Sequence, residues 1–136
     1  MQDSLLKRYA RDPAALSEQI NGDFPRVISI VEDAGEVTLQ LEVTPELAWF
    51  QGHFPGEPVL AGIIQAHWAA EVASALFGFD APPQQIKRLK FSSIIAPPRT
   101  IDLELARHGD SEVQFRIRSA GTQHSQGRLV FPEPAR

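Results

Sequence analysis

A loop rich in glycine and proline, residues 49–62, leads directly into a long alanine-rich segment and strongly constrains the fold of this chain. It reads Trp-Phe-Gln-Gly-His-Phe-Pro-Gly-Glu-Pro-Val-Leu-Ala-Gly. Pro55 and Pro58 fix backbone φ angles, while the glycines permit turns and close backbone approach. Gly62 stands at the predicted helix start, where the dipole favours negative charge. The sequence therefore predicts a stiff loop that sets His53, a candidate base, beside the Gly62 N–H, a candidate oxyanion donor.

The hydrophobic periodicity predicts an α+β domain. Residues 60–77 form one long helix, with its alanines on the other faces so that a sheet can approach closely. Its core positions are expected to be Ile63, Ile64, Trp68, Val72, Ala75 and Leu76. Two short helices are expected within residues 3–21, and strands at 24–31, 36–44, 85–95, 100–108, 112–119 and 122–131. This order indicates one antiparallel sheet around one central helix.

Composition narrows the class of protein. The 136 residues with 43% hydrophobic content suit a single domain, residues 1–136, with a helical segment at 1–23 and a flexible tail at 132–136. A net charge of −4 argues against a nucleic-acid partner. No stretch has the length and apolarity of a signal peptide or membrane span, and there is no cysteine, so a cytoplasmic location is expected.

The four histidines differ in their surroundings. His108, at a strand end, and His124, in a polar stretch, are expected to be solvated. His53 is flanked by aromatic residues and proline, which would keep a buried imidazole neutral; a structural role and a role as base are equally open. His67 lies inside the long helix, either as a structural histidine or as an acid. Glu71, one turn later, would favour its imidazolium form, or is simply an exposed helix carboxylate.

No cofactor or metal is expected. The histidines lack metal-ligand spacing, and the sequence has no HExxH, GxGxxG, Walker A or GxSxG pattern. One base, one possible acid and one oxyanion donor suit proton chemistry at the carbon next to an acyl carbonyl.

Basic residues cluster after the long helix, at Lys87, Arg88 and Lys90, with Arg99 nearby. They form either a solvated strand face or a docking surface for an acidic carrier protein.

Residues 52–64, Gly-His-Phe-Pro-Gly-Glu-Pro-Val-Leu-Ala-Gly-Ile-Ile, closely resemble the signature of the hot-dog-fold 3-hydroxyacyl-(acyl carrier protein) dehydratases of the FabA/FabZ type. Residues 86–98 are similar to the family's strand after the helix. The resemblance is sharp over residues 49–64 and weak over 24–131. It implies a hot-dog fold, in which the sheet wraps the central helix, and a homodimer, or a higher oligomer of dimers, with two sites at the subunit interface.

The resemblance also implies a reaction. His53 would remove the α-proton of a 3-hydroxyacyl thioester carried on acyl carrier protein or coenzyme A, and the Gly62 N–H would bind the thioester oxygen. A helix residue of the partner chain would protonate the leaving hydroxyl, giving a trans-2-enoyl thioester and water. Phe54, Pro55 and Trp68 would contact the substrate.

The chain departs from the family pattern at the acid. His67, fourteen residues after His53, stands where the family has Glu or Asp, and Glu71 stands where glutamine is common. Ala61 replaces the usual proline. A protonated His67, or His67 orienting a water with Glu71, would supply the proton.

Residues 65–69, Gln-Ala-His-Trp-Ala, resemble a divergent branch of these dehydratases that serves aryl-polyene or polyketide-like lipid synthesis. Two other functions remain open. One is a non-catalytic acyl-thioester-binding subunit of a heteromeric dehydratase, whose partner brings the missing carboxylate. The other is a hot-dog thioesterase.

Overall fold

The structure is a computed structural model that describes residues 2–20, 24–47 and 62–133. Two short helices come first, followed by two strands, one long helix and four further strands. In chain order they are α1 Gln2–Arg11, α2 Pro13–Gln19, β1 Arg26–Asp33, β2 Glu36–Val43, α3 Gly62–Phe77, β3 Gln85–Phe91, β4 Arg99–His108, β5 Glu112–Ser119 and β6 Thr122–Val130. This is the predicted order. The main difference in boundaries is at β3, which ends at Phe91 instead of residue 95.

The six strands form one sheet in the order β1-β2-β4-β5-β6-β3, and every neighbouring pair is antiparallel. Strict alternation along β2, β4 and β5 sends one set of apolar side chains into the core. These buried residues are Val37, Leu39, Leu41, Val43, Ile101, Leu103, Leu105, Val113, Phe115 and Ile117. The predicted α+β class is confirmed. Strands β1 and β3 are the two edges of the sheet.

Two-residue turns close two of the hairpins. Ala34 and Gly35, between β1 and β2, have φ angles of 51° and 85°, and Ala120 and Gly121, between β5 and β6, have 46° and 82°. Positive φ at both central residues matches the right-handed twist of the flanking strands. Both turns fall in the gaps between predicted strands, the first between 24–31 and 36–44 and the second between 112–119 and 122–131.

Helix α3 packs with its alanines buried. Ala66, Ala69 and Ala73 are fully covered, which lets the helix backbone come close to its neighbours. Ile63 was predicted in the core, but its side chain is 60% exposed. The reason is geometric, because Ile63 lies one turn before the exposed His67 and shares its face of the helix. Of the helices in the described ranges, none is long and apolar enough to cross a lipid bilayer.

Candidate active site

The structure describes only part of the predicted site. His53, Phe54 and Pro55 belong to residues 48–61, which lie outside the described ranges, so their roles stay predictions. The described candidates are the start of α3 at Gly62, the residues one to two turns along that helix, and the basic residues on β3 and β4.

Gly62 is the first residue of α3 and lies directly against the end of β3. A Cβ atom added to Gly62 would come within 2.6 Å of Cδ1 and Cε1 of Phe91, closer than real Cβ contacts allow. The missing side chain therefore lets the Phe91 ring pack on the helix N-terminus. The first N–H groups of an α-helix have no intrahelical partner, so the Gly62 N–H is not used by the helix itself.

His67 and Glu71 are neighbours on the exposed side of α3. The Nε2 atom of His67 is 3.7 Å from Oε1 of Glu71, and both side chains are about half exposed. This distance is within the range of an ion pair and is too long for a hydrogen bond. Together with Ile63, one turn earlier, these side chains form a stripe along α3 that we call the helix stripe.

Trp68, predicted to contact substrate, lies in the core. Its side chain is 1% exposed, and its ring meets Phe24 edge-on at a centroid distance of 5.8 Å. Within the part of the chain that the structure describes, its Nε1–H has no hydrogen-bond partner. The structure does not bring Trp68 to the helix stripe, and its contact with a substrate stays a prediction.

A bulge in β3 decides where its basic residues point. The register pairs Lys87 with Arg128 and Lys90 with Gln126, and it shifts between Lys87 and Lys90. Arg88 lies in this bulge with φ of 53°. Since directly paired residues share a face of the sheet, Lys87 and Lys90 both lie on the face of Arg128 and Gln126. Lys87, Arg88 and Lys90 thus form one basic edge.

Arg99 is placed elsewhere. Its register partner on β2 is Val43, which is fully buried, and its Nε donates a hydrogen bond of 2.7 Å to Ser119 Oγ. The structure therefore does not bring Arg99 to the basic edge formed by the three β3 residues.

The prediction that His124 is solvated is wrong. Its side chain is 1% exposed, with Nε2 2.6 Å from Ser119 Oγ and Nδ1 3.3 Å from the Ser93 carbonyl oxygen. The physical reason is a bulge in β6. Ser125 pairs with Ile117 but Gln123 pairs with Arg118, so His124 is an extra residue and turns inward beside the buried Ser125. No alternation in the sequence signals this bulge.

His108, by contrast, is exposed as predicted, with Nε2 3.3 Å from Gln114 Oε1. As for metals, the described residues contain no group of three or more histidine and carboxylate side chains able to hold an ion.

Comparison with known proteins points to one family. The model of the ApeI-like family, described as ApeI dehydratase, matches residues 29–128. The 3-hydroxyacyl-[acyl-carrier-protein] dehydratase FabZ of Levilactobacillus brevis is 34% identical over 74 residues, which cover 49% of this chain and 50% of that protein. The FabZ of Desulfotalea psychrophila is 37% identical over 67 residues, which cover 48% of this chain and 43% of that protein. The chain thus spans about half the length, or less, of these curated relatives.

Solved structures agree on the fold. The dehydratase heterocomplex ApeI:P from Xenorhabdus doucetiae matches with a TM-score of 0.71 and 30% identity, covering 78% of this chain and 96% of that one. The dehydratase domain of PpsC from Mycobacterium tuberculosis, in complex with C12:1-CoA, matches with a TM-score of 0.67 over 84% of this chain and 46% of that one. Because the two are only 22% identical, this match supports the fold alone. The sheet and helix are those of a hot-dog fold, as predicted. Since the family model extends from β1 to β6, the chain belongs to the ApeI-like dehydratase family.

Proposed function

We propose that this protein dehydrates 3-hydroxyacyl thioesters, carried on acyl carrier protein, to trans-2-enoyl thioesters in fatty-acid or polyene-like lipid synthesis. The observation that carries the proposal is the start of α3, where Gly62 has no side chain and its N–H has no intrahelical partner. His67 and Glu71, the proposed source of the second proton, follow within about two and a half turns of the same helix, with Nε2 of His67 3.7 Å from Oε1 of Glu71. The Gly-His-Phe-Pro motif with His53 immediately precedes this helix in sequence.

The proposed reaction divides its tasks among three groups. His53 takes the α-proton, and the electron pair of the broken C–H bond forms the carbon–carbon double bond. The Gly62 N–H stabilises the negative charge that develops on the thioester oxygen. In the proposed dimer the acid belongs to the second copy of the chain: its His67, assisted by Glu71, gives a proton to the β-hydroxyl, which leaves with the electron pair of its C–O bond as water.

The direct test is incubation of the purified protein with a 3-hydroxyacyl carrier thioester, followed by mass spectrometry of the carrier. Loss of one water with the thioester intact supports dehydration. Accumulation of free acid would instead indicate a thioesterase. Bound carrier with no turnover in either direction would contradict both enzymatic functions.

The acid is tested by two replacements in the helix stripe. We expect His67→Ala to lower kcat by roughly 10- to 100-fold, and Glu71→Gln to lower it by less than about 10-fold, because a general acid contributes about 10²- to 10⁴-fold and a water can replace it in part. Steady-state rates of enoyl formation measure this. Ile63→Ala, on the same stripe, is the control for packing. Full activity in His67→Ala would assign the proton transfer to Glu71 or to water.

A second candidate function is a subunit of a heteromeric dehydratase. Two observations favour it: His67 stands at the position where the FabA/FabZ type has a carboxylate, and the ApeI of Xenorhabdus doucetiae is part of a heterocomplex. A partner would then bring the missing carboxylate. Activity that appears only when a second dehydratase-like chain is added would support this function over the homomeric enzyme.

For the homomeric enzyme we propose a dimer formed through the β3 edge. An edge strand offers unpaired N–H and C=O groups to another chain. On this edge apolar side chains are also exposed: Ile86, Leu89 and Phe91 on β3, and Ile94 just beyond it. A second copy of the chain would cover the backbone groups and these side chains, and would leave Lys87 and Lys90, on the other face of β3, accessible.

Ile94, 64% exposed, is the residue with which we test this dimer. Ile94→Lys is expected to shift the protein from dimer to monomer, because the interface would have to bury an unpaired ammonium group. Val31→Lys is the matched control, since Val31 is 57% exposed on the opposite edge, β1. Molar mass by light scattering measures both. A dimer that persists in Ile94→Lys at low micromolar concentration would contradict this interface.

We propose that the basic edge, Lys87, Arg88 and Lys90, docks the acidic carrier protein. Lys87 is already 4.0 Å from Glu112, whereas the exposed Lys90 has no ion pair within the described ranges. Lys90→Glu is therefore expected to raise KM for the carrier-bound substrate roughly 3- to 10-fold and leave KM for the coenzyme A thioester unchanged. Lys7→Glu, the same charge change on α1, is the control. Equal effects on both substrates would rule out carrier docking here.

A further inference from the structure

A buried polar network joins three strands to the segment that follows β3. Arg99 Nε donates to Ser119 Oγ at 2.7 Å, Ser119 Oγ lies 2.6 Å from His124 Nε2, and His124 Nδ1 lies 3.3 Å from the Ser93 carbonyl oxygen. Ser119 and His124 are nearly inaccessible to solvent, while Arg99 is half-buried. Buried polar groups of this kind are costly unless they are paired, and each member of this network has a partner.

The donors and acceptors fix one proton of His124. A carbonyl oxygen is only an acceptor, so Nδ1 of His124 carries the hydrogen that goes to Ser93. Arginine is only a donor, so Ser119 Oγ accepts from Arg99, and this hydroxyl oxygen also bonds with His124 Nε2. The partners thus assign a proton to Nδ1 of His124.

His124 binds the segment after β3 with its backbone as well. Its carbonyl oxygen accepts hydrogen bonds from the Ser92 N–H at 2.9 Å and the Ser93 N–H at 3.3 Å. These two serines directly follow Phe91, whose own register partner is Ser125, the residue after His124. The His124 side chain therefore binds Ser93, two positions away from the ring that packs on Gly62, and the His124 carbonyl binds both Ser92 and Ser93.

We propose that Ser119 and His124 are positioning residues: with Arg99 they fix the segment after β3, and so the Phe91 ring, against the N-terminus of α3. The inference rests on the proposed function for its catalytic consequence, since Gly62 is the proposed oxyanion donor. Small displacements of positioning groups cost up to about 100-fold in rate. Loosening this network is expected to lower kcat more than it raises KM, because the basic edge on the other face of β3 is untouched.

Two replacements of His124 separate the halves of the network. Asparagine retains a donor near the Nδ1 position, toward Ser93, whereas glutamine retains an acceptor near the Nε2 position, toward Ser119. The backbone bonds to Ser92 and Ser93 remain in both variants. Ser119→Ala removes the middle of the network, and His108→Gln is the control, because His108 is an exposed histidine outside it.

The first measurements need no activity. We expect the wild-type ¹⁵N spectrum of His124 to show a proton on Nδ1. His124→Gln is expected to speed hydrogen exchange at the Ser92 and Ser93 amides roughly 3- to 10-fold and to weaken the nuclear Overhauser contact between the Phe91 ring and the Gly62 Hα protons. His124→Asn is expected to change the exchange rate and the Phe91–Gly62 contact less, because it retains the donor toward Ser93. If either His124 variant does not fold, the same two measurements are made on Ser119→Ala.

Kinetics then tests the link to the site. We expect kcat of the carrier thioester reaction to fall about 5- to 50-fold in His124→Gln and Ser119→Ala, with KM within about 2-fold and His108→Gln unchanged. Unchanged amide exchange and an unchanged Phe91–Gly62 contact would overturn the proposal, as would faster exchange with wild-type kcat. If the variants change amide exchange but the wild-type protein itself shows no dehydration, the proposed function is overturned. The role of the network in fixing Phe91 is then still supported.

Discussion

His53→Ala is expected to lower the rate of dehydration by about 10²- to 10⁴-fold, the range that a general base contributes. Alanine has no group that can take the α-proton, while the Gly62 N–H would still bind the thioester oxygen and His67 would still be present to protonate the β-hydroxyl. The expected loss is therefore in kcat, with KM changed little. Enoyl thioester formation from a 3-hydroxyacyl carrier substrate, followed by mass spectrometry, measures it.

His108→Ala is the matched control for this variant. His108 is exposed at the end of β4, and its removal is expected to leave kcat at the wild-type value. Equal unfolding midpoints for both variants would show that the loss in His53→Ala is chemical. If His53→Ala retained more than about a tenth of the wild-type rate, another group would have to be the base.

Trp68→Ala is expected to lower the free energy of unfolding by about 3–5 kcal/mol, the usual cost of a large aromatic residue lost from a core. Trp68 is among the largest fully buried side chains, and its edge-to-face contact with Phe24 adds to the loss. The total free energy of unfolding of most single domains is only about 5–15 kcal/mol. Denaturant unfolding followed by circular dichroism measures the change, and Val31→Ala, at an exposed site, is expected to cost less than about 1 kcal/mol.

Trp68→Phe separates packing from a role in substrate binding. Phenylalanine keeps much of the buried volume but removes the Nε1–H, which has no partner among residues of the described ranges. If Trp68 acts through packing alone, Trp68→Phe retains most of the stability and the wild-type KM. A KM that rises several-fold at unchanged stability would instead support the substrate contact that the family resemblance implies.

Local patterns predicted the elements of this fold well. The alternation along residues 36–44 predicted β2 and its buried face, and the helical spacing before Gly78 predicted α3 to within a few residues. Both predictions succeed because a strand repeats every two residues and a helix every 3.6, so that one buried face leaves a regular trace in the sequence. The motif around His53 similarly indicated the family, which the match over residues 29–128 confirms.

The same patterns were less informative about individual side chains of the site. Arg99 was grouped with the lysines of β3 because they are close in sequence, yet it binds Ser119 on β5. The reason is that β4 lies between β2 and β5 in the sheet, three positions away from β3. Neighbours across a sheet are set by strand order, which proximity along the chain does not reveal.

Local sequence patterns were enough to predict the helices, the strands and the family. The burial of His124, the exposure of Ile63 and the packing of Phe91 on Gly62 became visible only in the folded chain. A single extra residue in β6 reverses the face of His124, and the register between β3 and β6 carries Phe91 to the start of α3. Bulges and registers result from the packing of strands distant in sequence, so no local period records them.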